Sequence, residues 1–276
     1  LLATLTHDHG KEYTVNLLTK RCMAGFALTV AGLLLAGIAS AEMTLDGIIG
    51  YWPLESVDDV EDVIGGNGGV VEGGVDEIAG QFGGALEFDG FSFIDIEGTD
   101  ALNFNGLDTF SVSAWANADS DAPVEGAVPG QCCGSIVAQR DVDGWALRYD
   151  SREVGTEYEF IVHGASWFGD GAFGAMQPPP NEWHHYAGVL DAGTMRFYFD
   201  GEFVMELAAG EVVSNGFETE IGSAGDGGFV GGIDEVAIYS IALSDDQVSA
   251  NFETPGLAVE PAGKLATRWA SLKGIR

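Results

Sequence analysis

The sequence predicts an all-β fold, a two-sheet antiparallel sandwich with one short helix near the C-terminus, and three observations carry that expectation. Forty-one glycines among 276 residues punctuate the chain at a density that helices would not tolerate. The segments between them are short, aromatic and β-branched, the composition of strands. A dozen such segments fall within about 195 residues, which is sandwich spacing, and the strand–helix alternation of an α/β fold is missing.

In chain order the expected strands cover 48–54, 85–88, 93–96, 109–116, 135–139, 145–149, 157–163, 182–190, 195–199, 203–207, 218–221 and 232–239. Phe110, Val112 and Ala114 alternate with Ser111 and Ser113, so one face of that strand is apolar and the other wet. The stretch Glu182 to Glu202 reads as two strands broken by an Asp191-Ala192-Gly193 turn, with Trp183, His184, His185 and Tyr186 in the first and Met195, Phe197 and Phe199 in the second. Phe203, Met205 and Leu207 face the latter three if Asp200 to Glu202 form a three-residue loop, and that loop is expected rather than a strict two-residue turn. Trp52, Trp115, Trp145 and Trp183 lie within strands and are assigned to the core. The helix is expected over Ser244 to Phe252, where Ser244 caps free amides and Asp245 and Asp246 suit the positive helix start.

Three regions follow from composition. Residues Met23 to Ala41 are apolar, follow Lys20-Arg21 and end in Ala39-Ser40-Ala41; these are the parts of a signal peptide, with cleavage expected after Ala41. An uncleaved anchor is the alternative, because the 19-residue run just reaches spanning length. Residues 1–22 precede this segment and are left out of the fold reasoning; 42–256 form the expected domain, and 257–276 a basic tail. That tail sets Lys264, Arg268, Lys273 and Arg276 beside Leu265, Trp269 and Leu272, an amphipathic pattern that suits either docking on an acidic body or an export or attachment tag.

Charge narrows the partners. Between Glu42 and Glu260 there are 41 acidic residues against Arg140, Arg148, Arg152 and Arg196, with no lysine, for a formal charge of −37. Such a field repels phosphate backbones, which excludes nucleic acid and anionic membranes as partners, and it favours divalent cations. No segment after Ala41 is apolar enough to insert in a bilayer, so a protein secreted or held at the cell surface is expected. Cys132 and Cys133 are adjacent; in an oxidising compartment they are a strained disulfide, a loop-stiffening link or two bystander thiols, and zinc spacing is absent.

Five stretches in order resemble the laminin-G-like domains of the concanavalin A-like lectin/glucanase superfamily. They are Gly50-Tyr51-Trp52-Pro53-Leu54 with Gly65-Gly66-Asn67-Gly68-Gly69; Gly80 to Gly90, reading GQFGGALEFDG; Phe110 to Trp115, FSVSAW; Glu182 to Glu202, EWHHYAGVLDAGTMRFYFDGE; and Gly231 to Tyr239 followed by Ala242-Leu243-Ser244. The resemblance implies a concanavalin A-like jelly roll that binds glycans or other extracellular surface ligands without turning them over; a protein-contacting adhesion or structural module and a glycoside hydrolase with an unrecognised carboxylate pair are the alternatives. It also implies a structural Ca²⁺, with Asp234 supplying one carboxylate and Glu55 or Asp58, with backbone carbonyls near Asn67, completing an oxygen shell. Glu55 stands where the family pattern has Asp.

Other candidates are weighed on the residues. His184 and His185 are neighbours on a strand and point to opposite faces, so they cannot hold one ion together, and His163 is the only other histidine after Ala41. The carboxylate strand of the superfamily's glucanases, E-x-D-x-x-E or E-x-D-x-E, is approached by Glu218-Thr219-Glu220 and Asp234-Glu235 and completed by neither. For a ligand platform, the glycine-rich loop from His163 to Pro180 offers Trp167, Phe168, Asp170 and Phe173, and the turn after 135–139 offers Arg140, Asp141 and Asp143. The aromatic pair Trp167-Phe168 serves either as a sugar platform or as an anchor for the loop.

Overall fold

The computed structural model describes residues 2–7, 11–16, 43–119, 133–140, 143–150, 157–162, 179–214, 218–223, 227–254 and 256–257. The chain divides into two compact units, Leu1–Ala39 and Ser40–Arg276. In the first, strands β1 (Leu2–His7) and β2 (Lys11–Asn16) pair antiparallel from Leu2 opposite Asn16 to His7 opposite Lys11, a hairpin the sequence reading did not assign.

The second unit is a two-sheet antiparallel sandwich. Its strands are β3 (Ile48–Trp52), β4 (Gly69–Glu72), β5 (Asp76–Ala79), β6 (Gly84–Asp89), β7 (Phe93–Ile96), β8 (Phe110–Ala118), β9 (Cys133–Arg140), β10 (Gly144–Asp150), β11 (Glu157–Val162), β12 (His184–Asp191), β13 (Thr194–Phe199), β14 (Glu202–Ala208), β15 (Thr219–Ile221) and β16 (Val230–Tyr239), followed by helix α1 (Asp245–Glu253). One sheet has the order β11-β10-β9-β15-β7-β4; the larger has β14-β13-β12-β8-β16-β6-β5, with β3 also on β16. All twelve expected strands are present. The additional β4 and β5 are four residues each, too short and glycine-flanked to show a period-2 pattern.

The core fills the space between the sheets. Phe110 packs 4.7 Å from Phe104, 5.3 Å from Trp145 and 5.8 Å from Phe160, ring centre to ring centre, joining β8 of one sheet to β10 and β11 of the other. Trp52, Leu86, Leu147, Tyr186, Phe197 and Ile233 extend this cluster. At Gly188 an added Cβ would lie 2.2 Å from the Phe160 ring, so glycine lets the sheets approach here.

A second apolar cluster, with Tyr51, Val189, Tyr198, Tyr239, Leu243 and Val248, lies beneath α1 on the outer face of the larger sheet. Ser244 caps that helix as expected, and the cap is reciprocal: its Oγ accepts from the Gln247 amide at 3.3 Å, while Gln247 Oε1 accepts from the Ser244 amide at 2.9 Å.

Two local expectations are corrected. Phe199 pairs directly with Glu202, so Asp200-Gly201 form a two-residue turn with φ of +47° and +77°, both positive as a type I′ hairpin requires. A bulge next to Phe197 then restores the pairs Phe197–Met205 and Met195–Leu207; the irregularity lies in the strand and not in the loop. Trp183 precedes β12 and is half-buried, lying over Gly232, whereas Trp52, Trp115 and Trp145 are buried.

Candidate functional site

The six-stranded sheet turns one face to the core and the other outward, and its register assembles the outward residues into a rung. Val70 on β4 is opposite Asp95 on β7, Asp95 opposite Glu220 on β15, Glu220 opposite Ala138 on β9, Ala138 opposite Ala146 on β10, and Ala146 opposite Ile161 on β11. The rung runs from acidic to apolar: Ala138, Ala146 and Ile161 form a small buried cluster of their own, while Asp95 and Glu220 are half-buried. On the same face Arg148 donates from Nε to Glu159 Oε1 at 2.8 Å, each side chain about 1% exposed. A buried ion pair of this kind costs much to break and holds β10 to β11 in one geometry. No sequence pattern announced it, because the partners sit on different strands and meet only through register.

Trp145 on β10 is opposite both Gln139 on β9 and Val162 on β11, so the ends of these two strands flank β10 at one end of the sheet. Trp167, Phe168, Asp170, Phe173, His163 and Asp141 lie outside the described residues, as does the side chain of Arg140, and Asp143 is half-buried just before β10. Cys133 is disulfide-bonded, and Cys132 lies outside the described residues.

The histidines point to opposite faces of β12. His184 Nδ1 lies 2.8 Å from Asp200 Oδ2 and its ring stacks on Phe199 at 4.8 Å. His185 is buried against Trp115 at 5.4 Å, and burial pulls its pKa down to about 3, so it is neutral at physiological pH.

Of the four residues expected around a cation, the structure brings two together. Asp234 is fully buried on β16; its Oδ2 accepts from the Phe82 amide at 3.1 Å, and its Oδ1 has no hydrogen-bond partner. Glu55 Oε2 accepts from the Gly84 amide at 2.7 Å. The two carboxylates thus grip one turn, Gly80 to Gly84, whose tightness requires glycine: a Cβ at Gly80 would sit 2.2 Å from Gly84 O and 2.6 Å from Asp234 Oδ2. Burial raises the Asp234 pKa to about 7, the Phe82 amide opposes that rise, and the negative charge of Glu55 adds to it. A buried carboxylate oxygen without a partner, beside a second carboxylate and backbone carbonyls, fits a hard cation. Among the described residues no three His, Cys, Asp or Glu side chains gather, so further ligands would be carbonyls or water.

Asn67 and Asp58 serve elsewhere. Asn67 Nδ2 donates to Asp62 Oδ2 at 2.7 Å, its Oδ1 accepts from Thr99 Oγ1 at 3.0 Å, and its carbonyl accepts from Trp52 Nε1 at 2.9 Å. Asp58 is exposed in the turn bridged by Ser56 and Asp59, which Glu77 secures by accepting from Ser56 Oγ and the Val57 amide. The residue that organises this region, Asp62, was not among the sequence candidates. Its carboxylate accepts from the amides of Tyr51, Ile64, Gly65 and Asn67 and from the Asn67 side chain. The Asp-x-x-x-x-Asn spacing in a glycine-rich turn was the available signal.

The sandwich topology and the order of the motifs agree with a match of residues 90–249 to a laminin-G model described as the concanavalin A-like lectin/glucanases superfamily. The chain belongs to the concanavalin A-like lectin/glucanases superfamily. No curated protein sequence matches it. Among solved members of this fold, domain 4 of AbnA, a GH43 extracellular arabinanase from Geobacillus stearothermophilus, in complex with arabinotriose, is similar with 20% identity and a TM-score of 0.58 over 75% of this chain and 98% of that one. The ligand-binding domain of botulinum neurotoxin serotype D, in complex with N-acetylneuraminic acid, gives 16%, 0.53, 75% and 51%. The binding domain of Paraclostridial Mosquitocidal Protein 1 gives 17%, 0.52, 75% and 52%; the chain spans about half of each toxin domain. Among the described residues of this superfamily member no helix is long and apolar enough to cross a membrane.

Proposed function

We propose that this chain is a secreted, non-catalytic carbohydrate-binding module that takes neutral glycans at the loop end of its six-stranded sheet. The observation that carries the reading is the similarity over 98% of a domain described in complex with arabinotriose, a neutral sugar. The charge of the domain chooses between sugar classes: at −37 with no lysine between Glu42 and Glu260, it repels sialylated or sulfated chains. Trp167 and Phe168 supply the stacking platform, and Asp170, Arg140 and Asp141 the hydrogen bonds to hydroxyls, on a rigid edge set by the Arg148–Glu159 pair. Calcium in this reading is held by Asp234 and Glu55 and fastens the Gly80–Gly84 turn to β16, far in sequence from the sugar loop.

A glycan array run with and without Ca²⁺ tests the whole reading. Retention on neutral polysaccharides such as arabinan, lost in Trp167→Ala while the fold survives, is the expected result; no retention on any glycan overturns it. Millimolar Ca²⁺ is expected to raise the Tm of the wild type and leave that of Asp234→Asn unchanged, and an equal response of both discards the cation site. The directly opposed carboxylates Asp95 and Glu220 support a second reading, glycoside hydrolysis, because facing residues on paired strands have Cβ atoms about 5 Å apart. Release of reducing sugar that Glu220→Gln abolishes would establish that reading in place of the first.

A further inference from the structure

Neighbouring residues on a strand of the larger sheet alternate between the core and the outer face. Leu86, Ala116 and Ile233 belong to the core, so Glu87, Asn117 and Gly232 face outward. Register sets these three in one rung with a fourth residue. Asp76 on β5 is opposite Glu87 on β6, Glu87 opposite Gly232 on β16, and Gly232 opposite Asn117 on β8. With strands about 4.8 Å apart, the rung is about 14 Å long. Two residues before Asn117 on the same face, Trp115 is covered by α1, whose Phe252 stacks on it at 5.4 Å. At the far end of the rung Asp76 and Glu87 are open to solvent.

Trp183 completes the rung. It lies one residue beyond the His184–Ala116 pair, and its six-membered ring crosses to Gly232. A Cβ added there would lie 2.8 Å from Trp183 Cη2, 3.1 Å from its Cζ2 and 2.8 Å from Ile78 Cδ1. Glycine therefore seats the ring against the sheet, and Ile78 bounds it on the β5 side. Trp183 is half-buried, so part of the ring is pinned and part meets solvent. A ring already held in place costs a ligand little ordering on binding.

The acceptors around this ring lack donors. Asp76 and Glu87 are directly opposed like charges, an unfavourable cross-strand pair, and neither takes part in an ion pair among the described residues. Asn117 Oδ1 is buried and has no hydrogen-bond partner, so a donor that enters at the edge of the ring gains a bond the free domain lacks. An aromatic surface flanked by such acceptors suits a polyol: the C–H face of a sugar ring stacks on the indole while its hydroxyls donate to the carboxylates. The domain charge of −37 turns away sulfated and uronic chains.

We propose that Trp183, Asn117, Glu87 and Asp76 form a second saccharide site, for neutral glycans, on the outer face of the larger sheet. The proposal rests on the glycan-binding reading above and adds a site on the sheet that reading does not use. One domain then engages two glycan chains, or two stretches of one chain, and holds a polysaccharide more tightly than either site alone.

Fluorine NMR of the full chain labelled with 5-fluorotryptophan tests it. The six tryptophan resonances are assigned by replacing each residue in turn with phenylalanine. Arabinotriose, cellotriose, mannotriose and a trilysine peptide are the probes. A saturable shift of the Trp183 resonance with a trisaccharide is expected, with Kd raised about tenfold in Glu87→Gln, an exposed substitution that leaves the fold intact. A shift at Trp167 without one at Trp183 overturns the second site and leaves the glycan reading standing. A shift at Trp183 alone supports the second site and counts against the Trp167 platform. No shift at Trp183 with any trisaccharide, or the same Kd in Glu87→Gln as in the wild type, overturns the proposal. A Trp183 shift produced by the peptide alone also overturns it and assigns this surface to protein contact.

Discussion

Replacing Asp62 with alanine is expected to be the most damaging single change in the opening loop of the domain. The Asp62 carboxylate, 3% exposed, accepts from Tyr51 N at 2.9 Å, Ile64 N at 2.9 Å, Gly65 N at 2.8 Å, Asn67 N at 3.2 Å and Asn67 Nδ2 at 2.7 Å. Hydrogen bonds to a charged acceptor contribute about 1.5–3 kcal/mol each, but not additively. Four of the five donors lie in the partly exposed 64–67 turn, where water replaces the carboxylate at small cost. The Tyr51 amide is on a buried strand and would be stranded, and Asn67 would loosen its hold on Trp52 Nε1. Together these give a loss of about 3–5 kcal/mol, read as a lower urea midpoint at unchanged slope, or a Tm drop of about 6–20 °C for a domain of this size. Asp62→Asn keeps one oxygen for the three Oδ1 donors but turns a donor toward Asn67, and should lose about half as much. A loss below about 1 kcal/mol in Asp62→Ala would refute the reasoning, because it would mean that solvent satisfies all five donors.

Acid sensitivity follows from His185. Burial holds its folded pKa at about 3, below the ordinary imidazole value of 6.5, so its contribution is fully present above pH 6.5 and declines as pH falls toward 3, by an upper limit of about 4–5 kcal/mol; His185→Phe is expected to flatten that limb in pH-dependent urea titrations, and an unchanged limb would assign acid unfolding to other groups. Gly188→Ala should destabilise by about 1–3 kcal/mol through the clash with Phe160, while Gly106→Ser, where nothing lies within 4 Å but φ is +79°, should cost less, about 1 kcal/mol from backbone strain alone. If Gly188→Ala unfolds at the wild-type urea midpoint, the sheets are less tightly apposed than the structure shows.

Local pattern and tertiary arrangement contributed different things. Alternation in Phe110 to Ala114, the turn glycines and the Ser244 cap act within a few residues, so most strands of the sandwich, its hairpins and α1 were legible from sequence; strand ends, the four-residue β4 and β5 and the β1–β2 hairpin were not. The opposite-facing histidines were legible for the same reason, since side-chain direction on a strand alternates whatever surrounds it. The Asp200-Gly201 turn shows the limit: side-chain pairing demanded an extra residue, but a bulge in β14 supplied it as well as a loop could.

The sequence by itself determined that this is a glycine-punctuated acidic sandwich without lysine, and its family resemblance set Asp234 beside either Glu55 or Asp58; the structure chose Glu55. Only the tertiary structure decided that Asn67 belongs to Asp62, that Arg148 finds Glu159, that Asp95 meets Glu220 across two strands, and that a bulge buries Glu235 beside Met43. The Asp62–Asn67 pair is local to one turn, but the others depend on register between paired strands or on the packing of segments distant in the chain. A one-residue slip would send every such side chain to the other face, and no local pattern records which register the packed core selects.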